Sequence, residues 1–334
     1  MQIYKNRIPK KIITIVFIAV IFLLGGGINL NASQTRNVSA QTVHPCLNRV
    51  NVPINELHWL YVPESADQLY TEEPYLFLAG QLIADKAVDA SICPSGGLMN
   101  NGYANACGMA TALPTVIIVQ NMSNEPILQA WQEVGVPPVL LKQMISRESQ
   151  FWPSLHTPSE DDNVFEYGFG HMTYIGMKNA LNWNHDLYPK ICSVSDSENR
   201  VSDSGVVNQF LSSQIATCDT CEYGIDPNSL NRSVDILAEA VLGHCYQTSQ
   251  LVFNATGWHS SLVVDYATLW KLTLMDYTSG PQCVIDAIVS TFEITDGPMD
   301  WSEFSANVSG EHCIYGLTYA NQITAKYFDF PPNE

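Results

Sequence analysis

Glu148 is the residue whose type and position point most directly to chemistry. The stretch PPVLLKQMISRES, residues 137–149, predicts a helix whose apolar side chains recur three or four residues apart, and Glu148 falls at the end of that apolar stripe. Burial and the negative end of the helix dipole both raise the pKa of a carboxyl group. Glu148 is therefore a candidate general acid near neutral pH, although a solvent-facing glutamate at a frayed helix end, or one paired with Arg147, fits the same pattern.

Two further sequence blocks accompany this helix end. The blocks, in order, are Glu148-Ser149 with Phe151 and Pro153, EYGFGHMT at residues 166–173, and LMDYTSGPQCV at residues 274–284. Together they resemble the lytic transglycosylase domain of the lysozyme-like superfamily, in which a Glu-Ser helix end precedes a Gly-Leu-Met-Gln turn and a later Ala-Tyr-Asn-x-Gly-Pro segment. The resemblance covers about residues 127–288 and implies a lysozyme-like helical domain.

The resemblance also implies roles for individual residues. Glu148 matches the catalytic acid and base, Ser149 a serine that lines the cleavage site, and Tyr277 a tyrosine that supports the glutamate by hydrogen bonding. The second block borders the sugar-binding groove, and its implied substrate-binding residues are Gly168, Phe169, His171 and Met172.

The second and third blocks depart from the family pattern at three positions, where His171 replaces glutamine, Gly170 replaces methionine and Thr278 replaces asparagine. These changes put substrate contacts in doubt more than the acid itself. His171 can still donate a hydrogen bond to a sugar, or it can be a packed turn residue.

In this family a single glutamate is understood to protonate the glycosidic oxygen between N-acetylmuramic acid and N-acetylglucosamine in peptidoglycan. The same group then deprotonates the sugar 6-hydroxyl, which closes a 1,6-anhydro ring. Such intramolecular attack dispenses with a second carboxylate, and no metal or organic cofactor is implied.

Two alternatives to this mechanism remain open. An acidic residue between the first two blocks could activate a water and make the enzyme a hydrolysing muramidase, as in goose-type lysozymes; the candidates are Glu160, Asp161, Asp162 and Glu166. The same residues also fit a solvated acidic loop. A non-catalytic cell-wall glycan-binding module that has kept the fold is the other alternative.

The composition excludes some partners. The chain has 334 residues, is 46% hydrophobic and carries a formal net charge of −18, as expected of a folded acidic protein. Such a chain has little basic surface for phosphates, so nucleic acid is not expected as a partner. An anionic membrane surface offers it no attraction either.

The N-terminus has the layout of an export signal. Basic residues precede the apolar run Ile12–Leu24, and Val38-Ser39-Ala40 resembles a small-residue cleavage site, with Asn31-Ala32-Ser33 as the alternative. An uncleaved membrane anchor is the alternative, although the run is shorter than the roughly 20 residues that a spanning helix needs. We therefore expect an exported protein, in the cell envelope or outside the cell.

The nine cysteines are expected to form disulfides, because exported proteins fold in oxidising compartments. Cys93 and Cys107 flank a Gly- and Asn-rich loop and should pair, whereas the remaining pairing is open and the odd total leaves one cysteine over. A zinc site is an alternative for one group, Cys218, Cys221, His244 and Cys245.

The sequence predicts a mainly α protein, because apolar spacings of three and four recur from residue 127 onward. We divide it into a signal peptide or anchor (1–40), an N-terminal region of unknown role with cysteines (41–126), the lysozyme-like domain (127–290) and an acidic C-terminal extension (291–334). Residues 182–231 are polar and predict a long loop, and Cys313 could attach the extension to the body.

Overall fold

Helices dominate the computed structural model, which describes Cys46 and residues 57–157, 164–190 and 204–325. The predicted mainly α class is confirmed. The helices are α1 Leu76–Ala84, α2 Ala106–Asn121, α3 Asn124–Glu133, α4 Pro138–Glu148, α5 Tyr174–Trp183, α6 Ser204–Ser212, α7 Pro227–Thr256, α8 Ser260–Val263, α9 Tyr266–Ser279, α10 Pro281–Thr295, α11 Trp301–Ala306 and α12 Glu311–Ala325. Two short strands, β1 Leu155–His156 and β2 Glu166–Tyr167, form an antiparallel hairpin, and short 3₁₀ turns connect other elements.

Several helices begin where the sequence supplies a capping side chain. The side chains of Thr173, Asp226 and Asp265 accept hydrogen bonds from backbone N–H groups in the first turns of α5, α7 and α9. Prolines occupy the first position of α4, α7 and α10, where no intrahelical N–H bond is lost. These local signals fix where the helices that surround the site begin.

Helix α7 is the longest described helix and lies at the centre of the core. It packs against α3, α5, α9 and α10, and buried apolar residues such as Val234, Leu237 and Val241 run along it. Gly243 lets α5 approach closely, because a Cβ atom there would lie 2.8 Å from the carbonyl oxygen of Ala180. The helix thereby supplies a rigid support for the elements packed on it.

The hydrophobic core runs through the whole described chain. Buried side chains from Trp59 and Leu78 in the N-terminal region join those of α4, α7 and α9, and Tyr319 on α12 belongs to the same cluster. The described residues form one compact unit. The core therefore continues across positions 126 and 290, where the sequence suggested boundaries.

The polar segment 182–231 is not a continuous loop, so that prediction was partly wrong. Helix α6 lies within it and buries Val206, Val207, Phe210 and Leu211. The pair Val206-Val207 and the pair Phe210-Leu211 are four residues apart and therefore lie on one face of the helix. The many Ser and Asn residues around them obscure this pattern in the sequence. The acidic extension is likewise helical, because it contains α11 and α12.

Four disulfides link eight of the nine cysteines. They are Cys46–Cys245, Cys93–Cys107, Cys218–Cys221 and Cys283–Cys313. The predicted pairing of Cys93 with Cys107 is confirmed, and Cys313 does attach the C-terminal extension to α10. The zinc alternative was wrong, because its three cysteines are all oxidised. Cys192 lies outside the described residues, and the disulfides indicate an oxidising environment.

One described helical stretch, Ala106–Glu133, is long and apolar enough to cross a membrane by length and composition alone. It comprises α2 and α3, and part of it is buried in the core. The predicted signal or anchor segment lies outside the described residues.

Candidate active site

Five elements meet around the carboxyl group of Glu148. The end of α4 carries Glu148, the β1–β2 hairpin carries His156 and Glu166, and the following turn carries His171. Helices α9 and α12 contribute Tyr277 and Tyr319. All three sequence blocks of the resemblance therefore have members at this place, which we call the Glu148 site.

Glu148 is largely buried, as its place on the apolar stripe of α4 predicted. Only 16% of its side-chain surface is exposed, and its Oε1 atom is buried without a hydrogen-bond partner among the described residues. Burial raises the pKa of Glu148 to about 7, and the negative charge of Glu166 raises it further, against opposing contributions from the Tyr319 hydroxyl and Arg147. A large fraction of Glu148 is therefore protonated at neutral pH.

The β1–β2 hairpin presents two ionisable side chains to the site. His156 and Glu166 are directly opposite each other across the two strands, so their side chains lie on the same face. The ring of His156 stacks on that of His171 with centroids 5.5 Å apart. Glu166 remains 35% exposed. The predicted acidic candidates Glu160, Asp161 and Asp162 lie outside the described residues.

The turn that follows β2 is tight and pressed against the core. Gly168 has a positive φ of 68°, and a Cβ atom there would lie only 2.5 Å from the Cβ atom of Gln214, so glycine is required. His171 also has a positive φ, 48°, which is uncommon for a residue with a side chain. This strained backbone directs His171 to the Glu148 site.

His171 lies between the two carboxyl groups. Its Nδ1 atom is 4.0 Å from Oε2 of Glu148 and 3.5 Å from Oε2 of Glu166. Burial lowers the pKa of His171 to about 4, and the nearby His156 lowers it further. The carboxylates would favour the charged ring, but Glu148 is only partly ionised near neutral pH and Glu166 is more exposed, so burial prevails. His171 is thus a neutral imidazole at physiological pH.

Tyr277 supports the turn rather than the glutamate. Its hydroxyl donates a hydrogen bond of 2.5 Å to the carbonyl oxygen of Gly170, not to Glu148 as the resemblance implied. A Cβ atom at Gly170 would lie 2.5 Å from that hydroxyl and 2.4 Å from Leu237 on α7. A larger residue at position 170 would have to displace Leu237 or the Tyr277 hydroxyl, so the glycine and this tyrosine belong to one arrangement.

Three side chains that the resemblance placed along a groove are instead buried in the core. Ser149 is fully buried, and its hydroxyl donates to the carbonyl oxygen of Ile145 in α4. Phe169 and Met172 are 1% and 2% exposed. They hold the helix end and the turn in place, whereas Glu148, Glu166 and His171 retain exposed surface.

Sequence reasoning missed His156 and Tyr319. His156 precedes the acidic loop without any motif of its own, and its role follows only from strand pairing. Tyr319 lies in the segment that was set apart as an acidic extension. The available signal was Cys313, because a disulfide to Cys283 brings this segment next to the third block.

The raised pKa of Glu148 should be visible in the pH dependence of the free energy of unfolding. Its pKa is about 7 in the folded chain against 4.5 ordinarily, so the folded state binds more protons between these values and loses stability as pH rises through them. Glu148→Gln should therefore match the wild type below about pH 4 and exceed it above about pH 7, by on the order of 3 kcal/mol.

Urea unfolding at several pH values measures this difference. The exposed Glu293→Gln on α10 is the matched control and should leave the pH dependence unchanged. A constant difference between Glu148→Gln and the wild type across this range would contradict the assigned pKa.

Comparison with protein families, with curated proteins and with solved structures found no match to this chain.

Proposed function

We propose that this protein is an enzyme with a lysozyme-like domain that cleaves the β-1,4 bond between N-acetylmuramic acid and N-acetylglucosamine in peptidoglycan, acting as a lytic transglycosylase. The observation that carries the proposal is the carboxyl group of Glu148. It is largely buried, has a pKa of about 7, and occupies the position that the resemblance gives to the catalytic acid.

The convergence of distant sequence blocks supports the same reading. Tyr277 and Gly170 are 107 residues apart in sequence, yet they are hydrogen-bonded beside Glu148. Nothing in the local sequence requires blocks so far apart to meet. Their meeting is expected if the blocks are parts of one glycan-cleaving site.

The chemistry requires one group to act first as an acid and then as a base. Glu148 would protonate the glycosidic oxygen, and its carboxylate would then accept the proton of the sugar 6-hydroxyl as the anhydro ring closes. A pKa near the working pH suits both steps, because neither protonation state is strongly disfavoured. Neutral His171, beside Glu148, can donate a hydrogen bond to the sugar without adding a charge.

A hydrolysing muramidase is the second candidate, and Glu166 favours it. Its Oε2 atom and that of Glu148 both lie within 4.0 Å of the same nitrogen of His171. The two oxygens are therefore no farther apart than the sum of those distances, an upper limit that admits the shorter separations at which glycosidases place paired carboxylates. In such an enzyme Glu166 would activate the attacking water or form the covalent intermediate.

Export belongs to the proposal as well. The four disulfides fit an oxidising compartment, and the N-terminal sequence fits a signal peptide or an anchor, either of which delivers the domain to the cell envelope where peptidoglycan is found.

Digestion of purified peptidoglycan followed by mass analysis of the sugar ends tests the proposed function. A transglycosylase releases fragments with anhydro ends, one water lighter than the products of a hydrolase. Release of reducing-end products would support the second candidate instead. Binding to insoluble peptidoglycan without any soluble fragment would overturn both and leave the non-catalytic glycan-binding alternative.

Glu166→Gln distinguishes the two mechanisms independently of product mass. If Glu148 acts alone, kcat should fall by no more than about threefold, because Glu166 then only adjusts the pKa of Glu148. If Glu166 is the base or nucleophile, kcat should fall by about 100-fold or more. Steady-state rates on soluble glycan fragments, with Glu293→Gln as control, measure the effect.

A further inference from the structure

Helix α12 is fixed firmly against α9, although the sequence placed it outside the lysozyme-like domain. The Cys283–Cys313 disulfide ties its first turn to α10. The hydroxyl of Ser279, at the end of α9, donates a 2.9 Å hydrogen bond to the carbonyl oxygen of His312. Gly316 permits the close packing, because a Cβ atom there would lie 2.3 Å from that hydroxyl oxygen.

The same helix contacts α4 and brings Tyr319 to Glu148. Tyr319 is 2% exposed, and its hydroxyl interacts with the Glu148 carboxyl group. Both the Tyr319 hydroxyl oxygen and Oε1 of Glu148 are buried, and neither has a well-formed hydrogen bond among the described residues. Buried polar atoms are rarely left unpaired, because a group that has lost its hydrogen bonds to water and gained none in the protein destabilises the fold. Because the two side chains that carry these atoms interact with each other, we infer that a hydrogen bond between them forms in another protonation state.

We propose that Tyr319 is a positioning residue for Glu148, and that its hydroxyl donates a hydrogen bond to the Glu148 carboxylate once the acid has given up its proton. This inference rests on the proposed function. Helix α12 is then a part of the active site, because it supplies the hydroxyl group whose hydrogen bond stabilises the negative charge of the Glu148 carboxylate.

Other charged and titratable groups around Glu148 act differently. The charge of Glu166 on β2 opposes ionisation of Glu148, whereas Arg147 on α4 favours it from an exposed position. His171 is neutral and stacks on His156. The hydroxyl of Tyr277 on α9 already donates its hydrogen bond to the carbonyl oxygen of Gly170. Among the described tyrosines that interact with Glu148, Tyr319 is the one whose proton is not committed to another acceptor.

Removal of the Tyr319 hydroxyl should make Glu148 harder to ionise. In Tyr319→Phe the carboxylate loses a stabilising donor, so the pKa of Glu148 should rise by about one unit. The alkaline limb of kcat should move upward by the same amount. Tyr315→Phe is the matched control, because Tyr315 lies on the same helix but is 56% exposed, and it should shift neither value.

The pKa is measured on the full-length protein by carbon-13 NMR of labelled glutamate carboxyl groups, with Glu148→Gln to assign the signal. A second variant, Tyr319→Leu, removes the same hydroxyl and should give the same rise. An unchanged Glu148 pKa in a folded Tyr319 variant would overturn the inference. Because this titration needs no substrate, it separates failure of the Tyr319 contact from failure of the proposed glycan cleavage, which would abolish activity in every variant including the wild type.

Discussion

Replacement of Glu148 by glutamine should lower kcat for peptidoglycan cleavage by about 10³-fold. Glutamine has nearly the same shape and fits the same buried position, but its amide cannot give a proton to a glycosidic oxygen. The loss should therefore occur without loss of folding. Rates of fragment release measure it, with the exposed Glu293→Gln as a control that should keep wild-type activity.

The pH dependence of kcat for the wild type tests the role of Glu148 independently. Because burial sets the pKa of Glu148 to about 7, kcat should decline on the alkaline side with that value, as protonated Glu148 is depleted. A Glu148→Gln variant with more than about a tenth of wild-type activity would exclude Glu148 as the acid.

Loss of the Cys46–Cys245 disulfide should lower the free energy of unfolding by about 5 kcal/mol in the loop-entropy account, because the two cysteines are 199 residues apart. Both cysteines are fully buried. The bond also ties the N-terminal region to the middle of α7. We therefore expect the Cys46→Ala/Cys245→Ala variant to be close to the limit of stable folding.

Urea unfolding under oxidising conditions measures this loss. Cys218→Ala/Cys221→Ala is the matched control, because that bond spans only three positions and should contribute about 2 kcal/mol. Equal losses for the two pairs would show that loop closure does not account for the stabilisation.

Local patterns in the sequence were sufficient to predict several parts of the site. The apolar spacing of α4 places Glu148 on the buried face, and burial is the largest cause of its raised pKa. The Cys93–Cys107 loop was predictable because its ends are close in sequence. Each of these features depends on residues that lie within a few turns of one another.

Features that depend on distant segments were not predictable. Tyr319 reaches Glu148 only because α12 packs on α9 and α4. The low pKa of His171 results from burial and from its electrostatic interaction with His156, and neither is visible in the order of residues. The place of Ser149 also depended on tertiary packing, which turned an expected lining residue into a buried helix cap.

The positions at which the chain departs from the resemblance were also hard to interpret from the sequence. Gly170 looked like the loss of a methionine contact, yet its small size makes room for the Tyr277 hydroxyl and Leu237. A buried polar pair lies next to Tyr277, where Nδ1 of His244 is 2.8 Å from Oδ2 of Asp276. The ring of His244 contacts that of Tyr277 edge-on. Polar packing beneath the site thus helps to fix the turn that carries His171.

The central claim is that Glu148 is a carboxylic acid kept protonated near neutral pH by its surroundings. Carbon-13 NMR titration of the wild type, with the signal assigned through Glu148→Gln, tests it most directly. The account predicts a midpoint of about 7 for this carboxyl group. A midpoint near the ordinary value of 4.5 would contradict this, because Glu148 would then hold almost no proton to donate near neutral pH.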